Sequence, residues 1–103
     1  MITPLPLKIN DATMLRLVRE AAQDSSRVFF EPHAKQRMRQ RKITPKHVLA
    51  CLRQGAIEEP AHLNIRGNWK CTLRHIYAGD EVRVVAVLEQ DEAGNWIAVV
   101  TVF

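Results

Sequence analysis

Hydrophobic positions follow a helical spacing in the first half of this chain and a two-residue alternation in the second half. Asn10 or Asp11 can cap a first helix that continues to about Gln23. Its apolar side carries Met14, Leu15, Val18, Ala21 and Ala22. Residues 1–10 are predicted to form an extended arm with two prolines, and residues 27–30 a short strand.

Two short helices joined by a tight bend are predicted in the middle of the chain. Pro32 suits the first turn of a basic helix, because the missing N–H of proline has no partner to lose there. Thr44 is a favourable N-cap and Pro45 a favourable first residue for the second helix, which runs to about Gln54. Gly55 follows and is predicted to end that helix as its C′ residue.

Four runs of residues after Gly55 predict strands joined by short turns. They cover residues 57–63, 69–77, 82–88 and 96–103. Pro60 favours an edge position for the first, whereas the last is apolar on both faces and is expected inside the sheet. Helices followed by strands predict an α+β fold, with the N-terminal helices on one face of a four-stranded antiparallel sheet. The length suits a single domain over residues 1–103.

Positive charge is concentrated in the two middle helices. The chain has a formal net charge of +4, but residues 32–57 contain seven Lys or Arg and no acid. The rest of the chain is therefore net negative, at −3. A basic face of this kind is typical of proteins that bind polyanions. The alternative is a solvated basic helix without a partner.

The cysteines and the N-terminus narrow the class of protein. Cys51 and Cys71 lack the spacing of metal ligands and are expected to be reduced thiols in the core, which favours a cytoplasmic protein. The four histidines add no recognisable ligand set, so neither a metal nor another cofactor is predicted. The first residues lack a charged leader and a long apolar run, so neither a signal peptide nor a membrane span is expected.

His33, Arg37 and Arg41 occur four residues apart and are expected on one side of the basic helix. We refer to these three residues as the His33 stripe. An imidazole beside two guanidinium groups suits phosphate binding or phosphodiester cleavage. In a structural alternative, His33 makes a buried hydrogen bond and Arg41 caps the C-terminus of the helix. Arg37 then pairs with Glu58 or Glu59.

The strand at residues 69–77 divides its side chains between two faces. One face carries Trp69, Cys71, Leu73, His75 and Tyr77, and the other carries Lys70, Thr72, Arg74 and Ile76. We expect the second face to be open, with Lys70 and Arg74 as contacts to a phosphate backbone. His75 and Tyr77 are candidates for a second acid or base, although a histidine among apolar residues is commonly structural.

Three strings in the chain match a family pattern. They are FEPHAKQRMRQRKI at residues 30–43, VLACLRQG at residues 48–55 and VVTVF at residues 99–103. Together they resemble the domain-of-unknown-function 4258 family, which is similar to the RelE and BrnT toxins. The resemblance implies a RelE-like core at residues 27–103, preceded by an additional arm and helix at residues 1–26. The matching family positions are His33, Arg37, Arg41 and Thr101.

The resemblance implies a toxin-like, metal-independent endoribonuclease of a bacterial toxin–antitoxin system, held inactive by a DNA-binding antitoxin. Its substrate would be RNA, either free or as ribosome-bound mRNA, cleaved by attack of the 2′-hydroxyl. His33, Arg37 and Arg41 are then the candidate catalytic residues, as base or acid and as phosphate-binding cations. The candidate RNA contacts are Lys35, Arg39, Lys70, Arg74 and Thr101. The alternative prediction is a non-catalytic module that binds nucleic acid or a partner protein through the basic helices.

Overall fold

The computed structural model describes residues 9–103 and contains three α-helices and five strands in this part of the chain. In chain order they are α1 (Asp11–Ala22), β1 (Val28–Phe30), α2 (Pro32–Arg41), α3 (Pro45–Gln54), β2 (Ala56–Leu63), β3 (Trp69–Tyr77), β4 (Asp80–Asp91) and β5 (Gly94–Val102). The predicted order of helices and strands is therefore confirmed. Most of the predicted N-terminal arm, residues 1–8, lies outside the described residues.

Local capping signals set the ends of the helices. The side chain of Asn10 accepts a hydrogen bond of 2.7 Å from the backbone N–H of Thr13 and caps α1. Thr44 caps α3, as predicted. Helix α2 is followed by Lys42, which adopts the left-handed conformation with φ of 56°. Gly55 follows α3 with φ of −73° and ψ of 167°, so the backbone is extended and the predicted C′ geometry is wrong.

The five strands form one mixed sheet in the order β1-β5-β4-β3-β2. Strands β2 to β5 are antiparallel neighbours, but β1 adds a fifth strand that runs parallel to β5. The prediction of four antiparallel strands is therefore wrong in number and in type. The three residues of β1 have no hairpin turn that would indicate a neighbour, and the strand pairs with the distant β5 through Val28 opposite Ile97.

The positions of two strands agree with their composition. Strand β5 lies between β1 and β4, inside the sheet, as expected for a run that is apolar on both faces. Strand β2 contains Pro60 and lies at the edge, and its register to β3 is irregular on both sides of Glu59.

The three helices pack on one face of the sheet and share one hydrophobic core with it. The fully buried large side chains of that core are Met14, Val18, Val48, Leu52, Leu73, Val82, Val84, Leu88, Ile97, Val99 and Val102. They come from helices α1 and α3 and from strands β3, β4 and β5, while Ala34 and Met38 attach α2 to the same core. The arrangement confirms the α+β class, with the helices on one face.

Both cysteines are core residues, as predicted. Cys51 in α3 and Cys71 in β3 are fully buried free thiols. Burial raises the pKa of each thiol to about 12, so both remain protonated at neutral pH. No helix among residues 9–103 is both long and apolar enough to cross a membrane.

Candidate nucleic-acid interface

The His33 stripe lies on the outer surface of helix α2. Ala34 and Met38 are buried against the core and fix the rotation of the helix. His33 and Arg41 are then exposed, and Arg37 is half-buried. The structural alternative of a buried hydrogen bond from His33 is wrong, because the imidazole faces solvent.

The His33 stripe is extended rather than compact. Eight residues separate His33 from Arg41, which is about 12 Å along the axis of a helix. A general base and the proton it removes must approach to about 2.6–3.2 Å, so the whole stripe cannot act on one phosphodiester. His33 and Arg37 are one turn apart and form the most compact pair. The spacing suits contacts to successive phosphates.

Lys35 and Arg39 lie on the opposite side of helix α2 from His33 and Arg37. A helix turns by about 100° per residue, so the two pairs flank the buried line of side chains on either side. Lys35 and Arg39 are exposed, as is Lys42 just beyond the end of the helix. Helix α2 therefore presents positive charge on two separate surfaces.

The basic side chains of residues 32–46 form no ion pair with any described residue. They are Lys35, Arg37, Arg39, Arg41, Lys42 and Lys46. The other cation of the basic segment, Arg53, has a structural role, because its Nε donates a hydrogen bond of 2.7 Å to the carbonyl of Ala22. The positive field around α2 is thus not neutralised by the part of the protein that the structure describes.

The acids proposed as partners of Arg37 are engaged elsewhere. Glu58 pairs with Arg83 at 2.7 Å, and Glu59 lies 3.7 Å from His62. Both acids belong to β2, at the opposite edge of the sheet from β1. The predicted pairing of Arg37 with either of them is therefore wrong.

Lys70, Arg74 and Thr101 lie on the face of the sheet opposite the helices. The neighbours of Lys70 and Arg74 along β3 point into the helix-covered core, so these two side chains point away from it. Thr101 is opposite Val85, which also pairs with Thr72 on this face. The predicted division of β3 into two faces is confirmed. The structure does not bring these three residues together with the His33 stripe.

Arg74 already has an anionic partner on that face. Its Nη2 lies 3.0 Å from Glu81, and the same carboxylate pairs with Arg83. The hydrogen bond from Arg74 lowers the pKa of Glu81, and the hydrogen bond to Glu81 raises the pKa of Arg74. Arg74 is therefore less available to a phosphate than the unpaired cations of α2.

His47 is a residue of this region that the sequence analysis missed. The backbone N–H of Thr44 donates a hydrogen bond of 2.9 Å to His47 Nδ1, and the N–H of His47 donates one of 3.3 Å to Thr44 Oγ1. This is a capping box with histidine in the place usually taken by Glu or Gln. Because Nδ1 accepts, the neutral ring carries its proton on Nε2. The spacing Thr-x-x-His after a helix break was the available signal.

A cleft of about 360 Å³ lies beside His47. Arg41 and Lys42 line it from one side and Asp80 and Glu81 from the other, so its charges are mixed. The ring of Tyr77 packs edge-on against His47, with 4.6 Å between the ring centroids. Tyr77, a candidate second acid or base, therefore contacts His47 at this end of the protein.

An α+β fold with an unneutralised basic helix is consistent with the class of protein that the sequence indicated. The chain belongs to the family described as domain of unknown function (DUF4258), whose model matches residues 30–103. The match begins in β1 and covers α2, α3 and strands β2 to β5, and it leaves α1 outside. No curated protein and no solved structure matches the chain significantly.

Proposed function

We propose that this protein binds RNA by its phosphate backbone, along the exposed side of helix α2. The observation that carries the proposal is the group of unpaired cations at residues 32–46, in a chain whose other ion pairs are satisfied. Unpaired lysines and arginines bind phosphates with release of counterions, and this term dominates affinity for nucleic acid. The resemblance to RelE and BrnT toxins, and with it a RelE-like fold and a cytoplasmic location, favours RNA over DNA.

The His33 stripe is the proposed track of the strand. Each of its residues is one helical turn from the next, so a chain of phosphates can run along the helix and meet them in order. Guanidinium groups offer forked donors that match phosphate oxygens. The track ends at Arg41, beside Lys42.

The proposal is tested by loss of charge at two positions of the stripe. The double variant Arg37→Gln and Arg41→Gln is expected to bind a short labelled single-stranded RNA at least about tenfold more weakly than the wild type. The slope of log affinity against log salt is expected to fall by about two, one for each lost phosphate contact. Fluorescence anisotropy at several salt concentrations, with EDTA present, measures both quantities.

A matched control removes the same charge elsewhere. Arg16 is exposed on α1, where it pairs with Glu20, and Arg66 is exposed in the turn before β3. The double variant Arg16→Gln and Arg66→Gln is expected to change the affinity by less than about threefold. Equal weakening by both double variants would show that only net charge matters and would contradict the proposed track.

Metal-independent cleavage of RNA is the second proposed function, and the pairing of His33 with Arg37 favours it. The imidazole of His33 has no hydrogen-bond partner among the described residues, so both ring nitrogens are accessible to a ligand. His33 would remove the proton of a 2′-hydroxyl, and Arg37 would stabilise the charge of the phosphorane. In this proposal the protein is a toxin whose DNA-binding antitoxin holds it inactive.

Cleavage predicts products that end in a 2′,3′-cyclic phosphate when RNA is incubated with the protein in EDTA. His33→Ala is expected to lower the rate about 10²-fold or more, since general acid–base catalysis contributes that much. His62→Ala removes a histidine from β2, beside Glu59, and is expected to leave the rate unchanged. Analysis of the labelled fragments by denaturing gels and mass spectrometry gives the rate and the end group. Cleavage that survives His33→Ala would exclude His33 from the mechanism.

A further inference from the structure

A groove of about 510 Å³ follows the side of helix α2 that faces away from the His33 stripe. Its apolar lining comes from Phe30, Met38, Ile43 and Pro45. It extends over the α2–α3 junction, so it combines residues from three separate segments of the chain. Such a concave, mostly apolar surface is typical of ligand and peptide sites.

Three cations line the same groove, and no acid does. They are Lys35, Arg39 and Lys42, and all three are exposed and without an ion-pair partner among the described residues. Lys35 and Lys42 are seven residues apart, which corresponds to about 10 Å or two helical turns. The groove is therefore apolar in its lining and positive over a length that matches two turns of a bound helix.

We propose that this groove docks an amphipathic segment of a partner protein, with apolar side chains in the groove and Asp or Glu residues against Lys35, Arg39 and Lys42. An apolar face of two helical turns presents side chains at i, i+3, i+4 and i+7, which suits a groove of this length. Acids on the flanks of such a helix complement the three cations and position the segment.

The apolar lining favours a peptide over RNA as the occupant. A phosphate backbone gains from the cations but cannot use the surfaces of Phe30, Met38 and Ile43, which would stay in contact with water. A segment that carries leucine-like side chains between acids uses both features. The docking site is independent of the RNA track, because Lys35 and Arg39 lie on the other side of α2 from Arg37.

The test is a selection from a display library of random peptides of about 15 residues, long enough to form a helix of several turns. The full chain serves as the target. The enriched peptides are expected to combine apolar residues at helical spacing with acids between them. Serine in place of those apolar residues is expected to abolish binding of a synthetic selected peptide. Enrichment of no sequence, or of sequences without an excess of acids, would overturn the proposal.

Two charge-reversed variants locate the binding site. Lys35→Glu with Arg39→Glu is expected to weaken the selected peptide at least about tenfold, as reversal of close charges across an interface does. Arg37→Glu with Arg41→Glu makes the same change of net charge on the other side of the helix and is expected to leave the peptide within about threefold. Equal weakening by both variants would mean unspecific attraction and would overturn the groove assignment.

The RNA measurements on the same two variants separate this proposal from the proposed function. The Arg37 and Arg41 reversal is expected to weaken RNA more than the Lys35 and Arg39 reversal does. If RNA fails to bind while the peptide shows the expected pattern, the docking site stands alone. If the peptide pattern fails while RNA follows the stripe, only the docking proposal is lost. Circular dichroism of each variant verifies that these surface changes leave the fold intact.

Discussion

Gly55→Ala is expected to lower the free energy of unfolding by about 3 kcal/mol, the largest effect of any single methyl group that we can place in this protein. A Cβ at this position would lie 2.5 Å from the carbonyl oxygen of Cys51 and 2.9 Å from that of Arg74. Both neighbours are backbone atoms, so neither can rotate away. Accommodation of the methyl group requires that the end of α3 move away from β3. Denaturant titration followed by circular dichroism measures the loss.

Gly67→Ala is the matched control for this prediction. Gly67 has φ of 83°, and a Cβ there would meet no atom within 4 Å. Its replacement is expected to lower the free energy of unfolding by about 1 kcal/mol, through the left-handed backbone alone. If Gly55→Ala and Gly67→Ala lowered stability equally, close packing of Gly55 against β3 would not be the reason that glycine occupies position 55.

Leu52→Ala is expected to lower the free energy of unfolding by about 3 kcal/mol. Leu52 is fully buried on the side of α3 that packs on the sheet, and its loss leaves a cavity that the surrounding strands cannot fill without moving. A domain of this size is stable by only about 5–15 kcal/mol, so one such cavity removes a large share of the total. The midpoint of a urea transition is expected to fall accordingly.

The same substitution on the surface provides the comparison. Leu63 at the end of β2 is 50% exposed, and Leu63→Ala is expected to change stability by less than about 0.5 kcal/mol. Both variants lose the same atoms, so the difference between them measures burial in the core. A small effect of Leu52→Ala would indicate that α3 is less firmly packed than its burial implies. That result would also weaken the case for a rigid groove at the α2–α3 junction.

The two proposed surfaces give helix α2 two separate roles. One side carries Arg37 and Arg41 for phosphate contacts, and the other carries Lys35 and Arg39 beside an apolar groove. A partner in the groove would bring its own acids close to the RNA track without covering it. Inhibition by such a partner would then act through repulsion of the phosphate backbone, and it would weaken at high salt.

Local signals in the sequence were sufficient for the secondary structure. Asn10 and Thr44 cap helices α1 and α3, and Pro60 lies in an edge strand, each as its chemistry predicts. These outcomes depend on hydrogen bonds and steric limits within a few residues. The same locality explains the error at Gly55. Its glycine suggested a left-handed cap, but the reason for glycine there is a contact with the backbone of Arg74, which is distant in the sequence.

The candidate site was predictable as a set of residues on one helix, but not as a geometry. The spacing of His33, Arg37 and Arg41 placed them on one side of α2, which the structure confirms. The spacing also contained their separation of about 12 Å, which argues for a row of phosphates instead of one reacting centre. His47 was missed because its role depends on the backbone of Thr44, three residues earlier, and on a ring from β3.

The sequence by itself determined the α+β class, the order of the helices and strands, the basic helix and the two faces of β3, since each follows from local periodicity and charge. Only the tertiary structure decided that β1 pairs in parallel with β5 and that Glu58 binds Arg83 instead of Arg37. It alone placed Phe30 and Ile43 beside Lys35 to form a groove. These features join segments far apart in the chain, and packing of the shared core, which local patterns do not encode, sets their positions.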